Sequence, residues 1–364
     1  MKPRLLILLN SGISIHSFMP VGIFGASLDP DEREDYIYRK RKWVKKGGKG
    51  FEEPYDGVID ALSHRNFNAI YLGEIPIESW LLPRPCYEDM PLLTLENFVV
   101  FIDADGCLEY AKVIENFVSK LDEDIVPIMI GVDHSLSGGA FKALKTRYPD
   151  TSLIVLDSHF DVISSPTRCG INQYDLENNP ESVFNPWDPY IWFRSGNYTN
   201  ESFLKFALDH GWLEPSELLV IGARDNPPLD TNVEDHRVKQ FIEEYYSPVR
   251  SGSGLILGKK LDSGNMRDVV NRIKESRSDH VYISIDIDIG SGNILSSRFK
   301  PNSGFSERNL ILLIKTMRKW LEKQGTKVCG MDIMEMDTYE ANASIHGREN
   351  KTYDLCASMI ELLI

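Results

Sequence analysis

The sequence predicts an α/β protein, a three-layer α/β/α sandwich built on a mainly parallel sheet of about eight strands. Two observations carry that expectation. Short apolar runs rich in β-branched residues recur along the chain, and segments with apolar spacing near 3.6 lie between them. The runs are continuous rather than alternating, so each strand is buried on both faces, as in a parallel sheet covered by helices.

In chain order the expected strands are Leu5 to Leu9, Ala69 to Leu72, Phe98 to Ile102, Ile125 to Ile130, Leu153 to Leu156, Leu218 to Ile221, Val281 to Ile285 and Val328 to Ile333. The expected helices include Leu108 to Leu121, Leu136 to Arg147, Met266 to Arg277 and Glu307 to Gln324. Two stretches break the rhythm. Residues 24–60 are charged and Gly-rich with few apolar anchors, and residues 162–200 are rich in Asn, Pro, Ser and aromatics, so both read as loop insertions. No repeat, low-complexity tract or linker divides the chain, and residues 1–364 are read as one domain.

Composition narrows the function. A formal charge of −14 and a pI near 5.1 repel a phosphate backbone, which excludes nucleic acid as the expected partner. The basic run from Arg39 to Lys49 reads as a solvated loop. Five scattered cysteines have neither zinc-ribbon nor disulfide-framework spacing, which fits reduced thiols in a cytoplasm. Leu5 to Leu9 is too short for a signal-peptide core, and no stretch reaches the ~20 apolar residues of a membrane span. A homo-oligomer is compatible with all of this.

Polar residues at the carboxyl ends of such strands are where ligands gather. Asp157, His159 and Asp161 follow the strand Leu153 to Leu156 at alternate positions, and alternate residues of extended chain share a face. Asp286 and Asp288 repeat the alternation after Val281 to Ile285, and His134 follows Ile125 to Ile130 within Gly-Val-Asp-His-Ser. Four aspartates and two histidines clustered at strand ends would be strongly unfavourable without cations. Mixed carboxylate and imidazole donors suit Mn²⁺, with Fe²⁺, Co²⁺ or Zn²⁺ as alternatives, and the set is large enough for two ions sharing bridging carboxylates.

These motifs resemble the ureohydrolase superfamily of arginases, agmatinases and related deacetylases. Gly131 to Ser135 is similar to its G-G-D-H-S, Asp157 to Asp161 to D-A-H-x-D, Ser284 to Asp288 to S-x-D-x-D, and Asp332 to Glu335 to D-I-M-E. Ile221 to Asp225 and Gly304 to Glu307 add weaker similarities, and the order agrees over roughly residues 125–340. The resemblance implies an arginase-like fold in which His134, Asp157, Asp161 and Asp286 bind one manganese, and Asp157, His159, Asp286 and Asp288 the other. It further implies that Glu335 faces a guanidinium and that Asp161 relays a proton. Ser195 and Asn197 would bind the substrate backbone.

Departures from the arginase pattern point to the substrate. Thr199 stands where arginase has a proton-shuttling histidine, and Pro227 where it has an aspartate that reads the α-amino group. Residues 1–120 lack the usual arginase opening. This divergence resembles the arginase-like family that includes peptide arginases, and implies hydrolysis of arginine residues in a peptide to ornithine and urea. Free arginine, agmatine or another small guanidino compound is an alternative substrate. Metal-dependent amide deacetylation and non-catalytic, metal-stabilised binding are alternative functions.

Overall fold

The computed structural model describes residues 20–47, 50–229, 232–290, 292, 294–300, 303–345 and 348–364. Eight strands form one sheet: β1 (Val21–Ala26), β2 (Ile70–Glu74), β3 (Val126–Gly131), β4 (Ser152–Leu156), β5 (Leu218–Ile221), β6 (Gly254–Ile256), β7 (His280–Asp286) and β8 (Lys327–Met334). They lie in the order β2-β1-β3-β8-β7-β4-β5-β6, and every neighbouring pair is parallel. The helices in chain order are α1 (Glu34–Lys46), α2 (Pro54–Ser63), α3 (Leu95–Asp103), α4 (Gly106–Ser119), α5 (Leu136–Arg147), α6 (Ser165–Asn178), α7 (Phe203–Asp209), α8 (His236–Arg250), α9 (Gly258–Leu261), α10 (Arg267–Glu275), α11 (Glu307–Gln324), α12 (Thr338–Ala341) and α13 (Thr352–Leu363).

Strand alternation divides the core into two apolar layers. Ile128, Ile154 and Ile283 face a layer with Val58 of α2, Ile273 of α10, Leu313 of α11 and Met359 of α13. Met129, Val155 and Tyr282 face the opposite layer with Phe98 of α3, Ile114 of α4 and Phe141 of α5. Local chemistry sets the helix ends. In α11 the Ser306 hydroxyl accepts from Asn309 N at 3.3 Å, and Gly325 closes the helix at φ 77°. Helix α5 lies so close to α4 that a β-carbon on Gly139 would sit 2.0 Å from the Ala111 carbonyl oxygen.

Several expectations change. Phe98 to Ile102 belongs to α3 rather than a strand: Phe98, Val99 and Ile102 are buried while Val100 is exposed, and Thr94 caps the helix through Asn97 N. The stretch 24–60 is not a loop, because it holds the end of β1, all of α1 and most of α2. The basic run lies largely on α1, where Arg39 pairs with Asp337 at 3.0 Å and Lys40 is fully buried beside Asp29. Part of 162–200 is helical, as α6 and the turn Pro189–Ile191. Leu5 to Leu9 lies outside the described residues. Among the described residues no helix is long and apolar enough to cross a membrane.

Candidate metal centre

Strand order places the site. The chain lays β1 and β3 side by side, then β4 lies beyond the later strands β7 and β8, leaving a crevice above the carboxyl ends of β3, β8, β7 and β4. Each of these ends delivers a candidate residue: His134 after β3, Asp157 directly after β4, Asp286 as the last residue of β7, and Glu335 directly after β8. Asp288 follows in the turn Ile287–Gly290.

The donor atoms form two overlapping triads, His134 with Asp157 and Asp286, and Asp157 with His159 and Asp288, each within 4.8 Å. Asp157 belongs to both. His134 Nδ1 lies 3.0 Å from Asp161 Oδ2, 3.3 Å from Asp157 Oδ2 and 3.6 Å from Asp286 Oδ2. His159 Nδ1 lies 2.6 Å from Asp288 Oδ2 and 3.7 Å from Asp157 Oδ1. Asp286 is a member of the first triad, and its Oδ1 accepts from Asp288 N at 2.7 Å.

Backbone hydrogen bonds fix these side chains. Ser158 N donates to Asp288 Oδ1 at 2.9 Å, tying the ends of β4 and β7 together. Asp157 N donates to Ile221 O, and Gly222 (φ 118°) packs so closely that a β-carbon there would meet the Asp157 carbonyl oxygen at 2.6 Å. Asp225 accepts from Phe160 N at 3.2 Å and from the Tyr245 hydroxyl at 2.7 Å, so it braces the same loop. Behind His134, Nε2 meets Ser284 Oγ at 2.9 Å, which donates to Asp332 Oδ1 at 2.7 Å. That chain points Nδ1 at the carboxylates.

The electrostatics call for cations. Burial, with the neighbouring Asp161 and Asp288, pushes the Asp157 carboxyl well above the usual range; burial, Asp288 and Asp157 do the same to Asp286. Burial alone would lower His134, but the Asp161 hydrogen bond and surrounding carboxylates outweigh it and lift the imidazole to about 10. Burial likewise opposes charge on His159, and the Asp288 carboxylate overcomes it. Among the described residues, Asp157 Oδ2 is buried with no hydrogen-bond donor, and His134 Nδ1 lies 3.3 Å from it. A buried carboxylate-rich cluster whose acids are pushed towards their protonated forms fits divalent ions bound through carboxylate and imidazole.

Glu335 sits beside this cluster. It is buried in the left-handed backbone region at φ 65°; its Oε1 accepts from His134 N at 3.1 Å and from Asn200 Nδ2 at 3.3 Å, and its Oε2 has no hydrogen-bond donor among the described residues. Burial pushes its carboxyl up to about 7 against the opposing pull of Arg298. Arg298 is itself buried, with Asp31 at 3.4 Å, Asp29 at 3.5 Å, Asp133 at 3.7 Å and Glu335 at 3.8 Å. Its backbone N–H donates to Glu335 O at 3.0 Å, tying the loop to the end of β8.

The other expected substrate residues lie elsewhere. Asn197 turns its amide to the Ile102 and Asp103 carbonyls at the end of α3, and the structure does not bring it to Glu335. Asn200, three residues on, does reach it. Ser195 follows Arg194, whose guanidinium is held by Asp103 at 3.0 Å and by Glu32. The Thr199 hydroxyl meets Ser202 Oγ at 3.0 Å, and Pro227 is buried with its carbonyl bound by the Tyr246 hydroxyl. Arg298 and Asn200 went unnoticed because neither lies in a motif, whereas Ser284 and Asp332 stood inside motifs without an assigned part. A cleft of about 530 Å³ is walled by Asp31, Asp133, Thr199, Asn200 and Arg298 among others; Asn200 and Arg298 also reach Glu335, whereas neither Glu335 nor the six candidate ligands line the cleft.

Comparison with known proteins agrees with this arrangement. An agmatinase from Bacillus cereus is 28% identical over 143 residues, a match covering 32% of this chain and 49% of the agmatinase, so the matched segment spans about half of that relative. Among solved structures, an arginase from Bacillus subtilis superposes with a TM-score of 0.58 at 19% identity, covering 94% of this chain and 98% of the arginase. A proclavaminate amidinohydrolase from Streptomyces clavuligerus superposes with a TM-score of 0.56 at 18% identity, covering 95% and 90%. These structures share the fold. The Arginase family model matches residues 59–363, taking in every strand end that carries a candidate ligand, and the chain belongs to the arginase family.

Proposed function

We propose that this chain is a binuclear-metal hydrolase that cleaves a guanidinium group, converting arginine residues within a peptide to ornithine and urea. The observation that carries the reading is Glu335, a buried carboxylate whose Oε1 accepts from His134 N beside the ligand cluster and from Asn200 of the cleft wall. When bound, two divalent ions, for which the donor set favours Mn²⁺, supply a water acidic enough to act as nucleophile near neutral pH.

The chain's own residues supply the rest. His134, Asp157, Asp161 and Asp286 would hold one ion, and Asp157, His159, Asp286 and Asp288 the other. Glu335 orients the planar guanidinium through charge-assisted hydrogen bonds, presenting its carbon to the ligand cluster. Asp161, bonded to His134 at 3.0 Å, takes up the proton and returns it to the leaving amine. One feature favours a peptide: Pro227 offers no side-chain acceptor for an α-amino group.

The test incubates Mn²⁺-loaded protein with arginine-containing peptides, free arginine and agmatine, and measures urea together with loss of CH2N2 from the organic product. Urea from peptides supports the reading. Turnover of free arginine or agmatine alone moves it to a small guanidine, and acetate release from acetylated amines without urea overturns guanidine hydrolysis.

A further inference from the structure

At the mouth of the cleft, one short segment carries a concentration of exposed apolar surface. Val183 is 91% exposed, Trp187 88%, Phe193 76% and Trp192 48%, all within eleven residues. The same segment turns Phe184, Asp188, Tyr190 and Ile191 inward as cleft wall. Its backbone is held in place: Gln173 Nε2 donates to Ile191 O and Trp192 O at 3.0 Å, Asn185 Oδ1 accepts from Trp187 N at 3.0 Å, and Asp188 Oδ1 from Tyr190 N at 2.9 Å. Trp192 Nε1 closes the turn on Pro186 O at 3.3 Å. Large aromatic side chains presented to water by a hydrogen-bonded segment, next to a cleft, mark an interaction site rather than incidental exposure.

The cleft behind the rim says what the partner is. Its wall carries six acidic residues against four arginines. The arginines pair with four of these acids, Arg33 with Asp31, Arg168 with Glu201, Arg194 with Glu32 and Arg298 with Asp133, which leaves Glu34 and Asp188 as the wall's surplus negative charge towards an incoming ligand. We infer that the 183–193 rim docks a large apolar or aromatic side chain of an extended polypeptide, next to the arginine that enters the cleft towards Glu335. The inference rests on the peptide reading above. It assigns the rim a specificity-determining part: an arginine flanked by bulky apolar residues is selected over one flanked by glycines.

The test uses the full chain and two fluorescein-labelled peptides, with Phe or with Gly on both sides of a central arginine. Binding is read by anisotropy with and without Mn²⁺, and urea release is followed separately. The wild type is expected to bind the Phe peptide roughly tenfold more tightly, and the Trp187→Ser/Phe193→Ser variant to bind both alike. Both replaced side chains lie largely in water, so the variant keeps its core, and matched thermal melts check this. Equal affinity of the wild type for the two peptides overturns the rim even if both release urea. A tenfold difference without urea keeps the rim and overturns the hydrolase reading instead. If the variant retains the Phe preference but changes from dimer to monomer in sedimentation, the patch belongs to a second copy of the chain and the inference falls.

Discussion

The two halves of the candidate metal centre are built differently. The His134 half is sealed: its imidazole is fully buried, meets three carboxylates within 3.6 Å, and is braced from behind by Ser284 and Asp332. The His159 half is open, with a side chain 34% exposed and one close carboxylate, Asp288 at 2.6 Å. Asp157 is the hinge between them. A closed, braced half should hold its ion tightly and slowly, and an open one should exchange with solvent, because ligands fixed by outer hydrogen bonds lose less freedom on binding.

That contrast can be broken in order of effect. Asp157→Ala should abolish urea release and remove both ions, read by metal analysis after gel filtration; retention of even one equivalent would deny Asp157 its shared place. His159→Ala should leave one ion bound and His134→Ala should lose the tighter one, so calorimetry on the two variants ought to show opposite sites surviving. Brief chelation of the wild type should likewise leave a one-ion species rather than a uniform decline. Ser284→Ala removes no proposed ligand but takes the hydrogen bond from behind His134, and should weaken the ion held by His134 alone by about 10–100-fold in affinity. An equal loss at both sites would show that the brace serves the whole fold and not one half.

How much of this the sequence disclosed depends on the kind of signal each part leaves. Most triad members were legible because Asp157 and His159 at the end of β4, and Asp286 and Asp288 at the end of β7, sit at alternate positions where local spacing dictates a shared face; His134 after β3 was legible only through its motif. Six of the eight strands were legible as apolar runs. Strand β1 was not, since Gly22 and Gly25 dilute its apolar signal; both pack against neighbouring side chains, where a β-carbon would meet Ile125 or Glu74 at 2.7 Å. Strand β6 has only three residues. The run at Phe98 misled because its continuous apolar character hides a helical period, resolved only by which side chains are buried. Arg298 and Asn200 left no trace at all, because the contacts that bring them to Glu335 span 37 and 135 residues of chain and depend on how loops cross the finished sheet.

Glu335 occupies a backbone conformation that L-residues with side chains ordinarily avoid, at φ 65°. At most positions following a strand, glycine is the less stable choice than alanine. Here the order should invert, with Glu335→Gly more stable than Glu335→Ala by about 1 kcal/mol in denaturant melts, although neither can orient a guanidinium. The protein therefore carries its carboxylate where the chain would rest more easily without any side chain. A non-glycine residue held at positive φ beside a candidate ligand cluster is a local strain that the surrounding contacts must hold in place.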